Sequence, residues 1–225
     1  ALGCKVNQYE SEAIAELFAE KGYEIVGIDE EADVYVINTC TVTNFGDKKS
    51  RQLIRKVKRQ NENAIVAVVG CYAQTAPKEL MEIAGVNLVI GTKDRAQIVE
   101  MVEQYDRANG VENHVSDIMK ERVFEPLSIQ KLANRTRAYL KIQDGCSQYC
   151  SYCIIPYARG PIRSREPQEV VAEVKRLAEN GFKEVVLTGI HVASYGKDRR
   201  DTSLLDILKQ VHEVEGIERI RFSSI

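Results

Sequence analysis

Three short apolar stretches each end in a cysteine: Leu2-Gly-Cys4, Val34-Tyr-Val-Ile-Asn-Thr-Cys40 and, closing Ile65-Val-Ala-Val-Val69, Gly70-Cys71. Amphipathic stretches from Ser11 to Lys21 and from Gly46 to Gln60 separate them, and Leu88-Val-Ile90 precedes another from Asp94 to Tyr105. The apolar runs read as buried strands and the amphipathic stretches as helices. Strands alternating with helices imply a parallel sheet with helices on its faces. In such a sheet the C-terminal strand ends share one edge, where ligands bind. Cys4, Cys40 and Cys71 are therefore expected to converge although 36 and 31 positions separate them. Three buried structural cysteines are the ordinary alternative.

A second set is compact: Cys146-Ser-Gln-Tyr-Cys150-Ser-Tyr-Cys153 places three cysteines in eight residues, just after the alternating Tyr139-Leu-Lys-Ile-Gln143. Three thiolates on a short loop can hold three irons of a [4Fe–4S] cluster and leave the fourth iron an open coordination position. A structural zinc site wants four ligands, and the fourth would have to be remote, with His191 as the candidate. Disulfides fit less well, because a chain this long can bury an ordinary core and no secretory segment precedes the cysteines. Six cysteines read without a targeting signal point instead to a reducing cytosol and to metal or catalytic use. The expected location is cytoplasmic. No run of about 18 apolar residues occurs, so no membrane span is expected.

Length sets the domain plan: 225 residues allow one large or two modest domains. Residues 1–115 read as a first α/β domain, 116–135 as a linker within a polar stretch running from Asn109 to Asn134, and 136–225 as a second domain. The second is expected to contain strand 137–143, helix 167–180, strand 184–188, helix 203–214 and strand 218–224. Ala1-Leu-Gly-Cys4 reads as the tail of a strand and Arg221-Phe-Ser-Ser-Ile225 as the start of another, so both ends are expected to be cut.

Net charge is only −2, so the distribution carries the information. Asp47-Lys-Lys-Ser-Arg51-Gln-Leu-Ile-Arg55-Lys-Val-Lys58-Arg59 holds seven cations. At about 100° per residue, Lys48, Arg51, Arg55, Lys58 and Arg59 share one arc opposite Leu53, Ile54 and Val57. Such a face is either solvated or contacts phosphates. Arg159, Arg163 and Arg165 form a second basic group beside the compact cysteine set.

Taken together, Leu2-Gly-Cys4-Lys-Val-Asn7-Gln-Tyr-Glu10-Ser11, Asn38-Thr-Cys40-Thr-Val-Thr43, Gly70-Cys71-Tyr-Ala-Gln74, Cys146 to Arg165, and Leu187-Thr-Gly189 with Ser194-Tyr-Gly196 resemble the radical S-adenosylmethionine (radical SAM) methylthiotransferases. The resemblance implies an N-terminal flavodoxin-like domain followed by the first half of a radical SAM partial (β/α) barrel. It also implies a C-terminal RNA-binding TRAM domain that these residues do not include. Two [4Fe–4S] clusters are implied: an auxiliary one on Cys4, Cys40 and Cys71, and a radical-generating one on Cys146, Cys150 and Cys153. In the family the open iron of the second chelates SAM, and one electron from a low-potential donor cleaves it to a 5′-deoxyadenosyl radical. A separate sulfur carrier then explains the first cluster. Tyr152 would lie near the SAM adenine, and Thr188 and Gly189 in the segment that contacts its amino group. The resemblance assigns no catalytic acid or base.

Gly3-Cys4-Lys5-Val6-Asn7-Gln8 is similar to the branch that acts on N6-threonylcarbamoyladenosine next to the anticodon of tRNA. The isopentenyladenosine branch typically reads Gly-Cys-Gln-Met-Asn, and the branch acting on a ribosomal-protein side chain reads Gly-Cys-Pro-Lys-Asn. From a different class, a noncatalytic iron–sulfur carrier or a zinc-stabilised RNA-binding module would use the same cysteines.

Overall fold

The computed structural model describes residues 2–41, 44–129 and 137–223. Helix α1 spans Lys5–Glu20, with Cys4 in extended conformation as its N-cap. It begins six residues before the apolar periodicity suggests, because Asn7, Tyr9 and Glu10 are buried and their polar atoms have internal partners. Strand β1 (Val34–Thr39) and helix α2 (Asn44–Gln60) follow. Then come β2 (Ile65–Gly70), α3 (Cys71–Thr75), α4 (Pro77–Met81), β3 (Leu88–Ile90), α5 (Ile98–Gln104) and β4 (Glu112–His114).

These four strands make one parallel sheet in the order β1-β2-β3-β4, with Val36 opposite Ala67 and Val69 opposite Ile90. Side chains alternate across a strand, and the burial follows that period. Val66, Val68 and Val89 pack with Ile54, Val57 and Leu80 of α2 and α4 on one face. Ala67, Val69, Leu88 and Ile90 pack with Ile14 and Phe18 of α1 and Ile98 and Val102 of α5 on the other. Full burial of each such aliphatic side chain contributes about 1.5–3 kcal/mol.

The expected connection differs from the structure at its start. Glu112–His114 pairs with β3 as an edge strand, Leu88 opposite Glu112, and is polar because one side faces solvent. Further on, Leu127 and Ile129 pack on Tyr9 and Ala13 of α1, and the Tyr9 hydroxyl donates to the Leu127 carbonyl at 2.5 Å. The last residues of that connection and residue 136 lie outside the described residues.

The second half contains β5 (Arg137–Lys141), β6 (Gln143–Asp144), α6 (Ile155–Arg159), β7 (Arg163–Ser164), α7 (Pro167–Glu179), β8 (Glu184–Thr188), α8 (Leu204–His212) and β9 (Arg219–Phe222). Strands β5, β8 and β9 form a parallel sheet in the order β5-β8-β9, and β6 pairs antiparallel with β7. The single strand expected over 137–143 is thus two. Ile142 explains the break: its N–H donates to Thr188 in the parallel sheet, while its carbonyl accepts from Arg165, each at 2.9 Å. Helices α7 and α8 cover the parallel sheet, with Val170, Val174, Ile207 and Val211 against Leu140, Val185 and Leu187.

Between the two halves lies a buried set of charges. Glu10 of α1 accepts from Lys141 Nζ at 2.8 Å and from Arg159 Nη1 at 2.5 Å, and its other oxygen lies 2.7 Å from Arg95 Nη1. Asp144 lies 2.5 Å from Lys141 Nζ, and Glu125 2.5 Å from Arg95 Nη2. Burial by itself would raise the Glu10 and Asp144 pKa values, but the surrounding cations outweigh it and hold both well below the carboxylate range. Because the folded values are depressed, the stability these groups confer is present above their unfolded pKa values of about 4. It is lost as pH falls toward the folded values. Glu10→Gln should therefore destabilise the protein by about 3–5 kcal/mol at neutral pH, since it leaves buried cations underpaired. It should also flatten the loss of stability below about pH 5. Urea unfolding followed by circular dichroism across that range checks both.

Candidate functional site

Cys40 directly follows β1, and Cys71 opens α3 directly after β2, so two adjacent parallel strands end in thiols. The Leu2 N–H donates to the Asn38 carbonyl at 3.0 Å, which lays residues 2–4 beside the end of β1. Gly3 has φ +119°, and a Cβ there would fall 2.9 Å from Cys40 Cβ and 3.2 Å from Cys40 Sγ. Only glycine allows so close an approach with that backbone. Asn7 fastens the arrangement: its Nδ2 donates to Asn38 Oδ1 at 3.0 Å and to the Thr39 carbonyl at 2.9 Å, and its Oδ1 accepts from Cys4 Sγ at 3.3 Å. Cys4 is exposed, Cys40 half-buried and Cys71 buried. Burial pushes the Cys71 thiol up to about 11, with Arg159 opposing that rise.

The second set sits on a loop anchored at its base. Gly145 has φ +69°, and a Cβ there would lie 1.9 Å from the Pro161 carbonyl oxygen. The next residue, Cys146, donates its N–H to the Gly160 carbonyl at 3.0 Å. Cys153 N–H donates to the Cys150 carbonyl at 2.9 Å, closing a turn around Ser151 and Tyr152. Between the first two cysteines Tyr149 adopts φ +48°, a left-handed conformation that is rare for a bulky residue and concentrated at functional sites. Cys146 and Cys153 are half-buried and Cys150 is exposed.

Of the residues assigned by resemblance to SAM, Tyr152 is 90 % exposed and so joins no core among the described residues. Thr188 ends β8 opposite Lys141. Gly189 rests on Gln143, whose Nε2 donates to the Gly145 carbonyl at 2.7 Å and whose Oε1 accepts from the His191 N–H at 2.9 Å. Gln143 thus ties the 188–191 segment to the residue just before Cys146. His191 itself engages Ser194 Oγ through Nδ1 at 2.6 Å. Among the described residues no three His, Cys, Asp or Glu side chains gather as one metal ion requires. Thiolates of a cubane bind separate irons. Each set supplies three free cysteines, one thiolate for each of three irons of a [4Fe–4S] cluster.

One guanidinium reaches the first set, and the residue after it anchors the second, the Gly160 carbonyl accepting from Cys146 N–H. Arg159 is 0 % exposed; its Nε donates to Cys71 Sγ at 3.1 Å, and its Nη2 donates to Glu10 Oε2 at 3.0 Å and to Asn7 Oδ1 at 3.2 Å. The expected basic group for RNA is corrected here. Arg163 and Arg165 are each 3 % exposed. Arg163 donates to the Arg159 carbonyl at 2.9 Å, and Arg165 Nη2 lies 2.5 Å from Glu173. All three are committed inward and offer no charge to a polyanion.

Helix α2 divides its cations. Arg51 is half-buried, donating to the Tyr72 hydroxyl at 2.7 Å, and Lys58 donates to the Ala64 carbonyl at 3.1 Å. Lys48, Arg55 and Arg59 remain exposed. The expected five-cation arc is therefore a narrower one. Sequence reasoning missed the ionic role of Glu10, Arg95, Lys141 and Asp144. The one available signal was Lys141, a charge set between Leu140 and Ile142.

The family described as "Uncharacterized protein family UPF0004" matches residues 1–91, and the radical SAM superfamily matches residues 140–225. The threonylcarbamoyladenosine tRNA methylthiotransferase MtaB of Bacillus subtilis is 53% identical over 100% of the chain and 50% of its own length. Its namesake in Aquifex aeolicus is 42% identical over 100% of the chain and 54% of its length. The chain thus spans about half the length of these curated relatives. Among solved structures, the radical SAM methyltransferase TsrM from Kitasatospora setae superposes with a TM-score of 0.53 at 19% identity, covering 82% of this chain and 45% of that one. At that identity the likeness concerns the fold alone.

Gly145→Ala should displace the backbone that carries Cys146, because the added methyl meets a carbonyl oxygen rather than a flexible side chain. The expected outcome is a loss of about 1–3 kcal/mol together with faster proteolysis within 146–153, both measurable on the metal-free protein. Gly181→Ala, where a Cβ meets nothing within 4 Å, is the control for a positive φ alone.

Proposed function

The chain belongs to the radical SAM methylthiotransferases, and from that premise we propose that the protein containing it replaces the C2–H of N6-threonylcarbamoyladenosine in tRNA by a methylthio group. The observation that carries this reading is the presence of two separate three-cysteine sets, one on a sheet edge and one on a loop. One set suits sulfur carriage and the other radical formation. When bound, the clusters and SAM supply the methyl group, the sulfur site and the radical that removes hydrogen. This chain's residues do the holding. Cys4, Cys40 and Cys71 are the proposed ligands of the auxiliary cluster, and Cys146, Cys150 and Cys153 those of the SAM-binding one. Tyr152, Thr188 and Gly189 are the proposed SAM contacts. Exposed Lys48, Arg55 and Arg59 are the proposed phosphate contacts. A low-potential electron donor completes the partners. The proposed division is 1–115 for the first domain and 136–225 for the radical SAM part, and no helix among the described residues is long and apolar enough to cross a membrane.

Two features support the threonylcarbamoyl branch: the names of the two relatives above, and the Gly3-Cys4-Lys5-Val6-Asn7 segment. Asn7 sits at the same spacing in the isopentenyl motif, in keeping with its work on Cys4 and the end of β1. Lys5 and Val6 are what differ, and Lys5 alone of the two brings a charge. Lys5 lies exposed in the first turn of α1, next to Cys4, where an ammonium suits the substrate carboxylate better than an isopentenyl group.

Anaerobic reconstitution of the full-length protein should give about eight irons, four for each cubane. Replacing Cys4, Cys40 and Cys71 by Ala should leave about four, and so should replacing Cys146, Cys150 and Cys153. A triple variant with undiminished iron would overturn the ligand assignment. In cells lacking the protein, mass spectrometry of tRNA nucleosides should show the 2-methylthio derivative of threonylcarbamoyladenosine disappear while its precursor accumulates. Loss of the isopentenyl derivative instead would move the protein to the other branch.

A further inference from the structure

We propose that Arg159 is a positioning residue that sets the reduction potential of the cluster on Cys4, Cys40 and Cys71. The inference rests on the reading of that set as a cluster site. The segment 159–160 touches both sets within one peptide unit: Arg159 Nε donates to Cys71 Sγ at 3.1 Å, and the Gly160 carbonyl accepts from Cys146 N–H at 3.0 Å. Through Asn7 Oδ1 the same guanidinium reaches Cys4, whose Sγ donates to that oxygen at 3.3 Å. Two of the three sulfurs are therefore in contact with Arg159 or one side chain away from it. A displacement of the 146–153 loop at its base would be felt at Cys71.

Charge gives the contact its electrostatic meaning. Arg95, Lys141, Arg159 and Arg163 face Glu10, Asp144 and Glu125, four cations against three anions. Of these cations Arg159 is the one that donates to Cys71 Sγ, and it is fully buried, where a charge acts through a low dielectric. Cluster potentials depend on net charge, hydrogen bonds to sulfur and exposure. Reduction adds one electron and hence one negative charge to the cluster. A guanidinium donating to a ligand sulfur stabilises that reduced form and raises the potential.

The test uses the full-length protein with Cys146, Cys150 and Cys153 replaced by Ala, so that one cluster is read by redox titration with electron paramagnetic resonance. In this background Arg159→Gln should keep about four irons while its ratio of reduced to oxidised cluster at fixed potential falls about tenfold, a drop of about 59 mV for one electron. Arg159→Lys should recover part of the loss, because it keeps the charge. Arg165→Gln, a buried arginine that touches no cysteine, should leave the ratio unchanged. Loss of iron from Arg159→Gln with retention in Arg159→Lys would also support the positioning role. An unchanged ratio in Arg159→Gln, or equal effects of Arg159→Gln and Arg165→Gln, would overturn it. A triple-Ala background that holds no iron would sink the ligand assignment, and this inference with it.

Discussion

Glu10 is the carboxylate on which the two halves of this structure close. It sits on α1, packed on the first sheet, and takes Lys141 and Arg159 from the second half and Arg95 from the first. Apolar surfaces at a joint can slide over one another at little change in energy; a buried carboxylate with three cationic partners cannot. Its desolvation is severe and is offset only while every partner is in place. The joint is therefore specific in register, and it holds Arg159 against Cys71 while the next residue anchors Cys146. Buried charges contribute less to net stability than an equal volume of hydrocarbon would, and this is a position where specificity of arrangement matters more.

The parts of the fold legible in the sequence are those where burial acts on several neighbouring residues at once. Ile65 to Val69 and Leu88 to Ile90 are apolar on both faces because helices cover both sides of the sheet, and the strands fall where the apolar runs are. Strand 184–188 matches the structure for the same reason. Glu112–His114 was hidden because an edge strand needs only main-chain partners on one side, which leaves no apolar pattern. The start of α1 was hidden differently. Asn7 and Glu10 look like surface residues until Asn38 and Arg159, distant in sequence, are brought against them.

The same distinction governs the site. Cysteine spacing and the strand ends before Cys40 and Cys71 are local properties and so were visible, whereas Cys4 caps α1 instead of ending a strand. The direction in which Arg159, Arg163 and Arg165 point is not local: a basic run beside a metal loop reads as a surface for a polyanion, whereas here each arginine has a buried carboxylate or carbonyl supplied by another element. On α2 the helical arc was right in phase, yet Tyr72 and the Ala64 carbonyl draw Arg51 and Lys58 inward. Charge patterning locates a face; only the packing decides which of its charges are available.

The two sets also differ in how much of their geometry exists before any metal arrives. Cys40 and Cys71 are fixed by adjacent hydrogen-bonded strands, and Asn7 brings Cys4 to the same edge. Little conformational entropy remains for binding to remove there. Cys150 is exposed on a loop whose defined constraints are the Gly145 crossing, the Cys146 hydrogen bond and one turn. Such a loop can admit a ligand to an open iron, but ordering it draws more on the binding energy of the cluster itself. One rigid thiol set and one adaptable one fit the proposed division of labour, in which one centre holds a group still while the other binds and releases a small molecule.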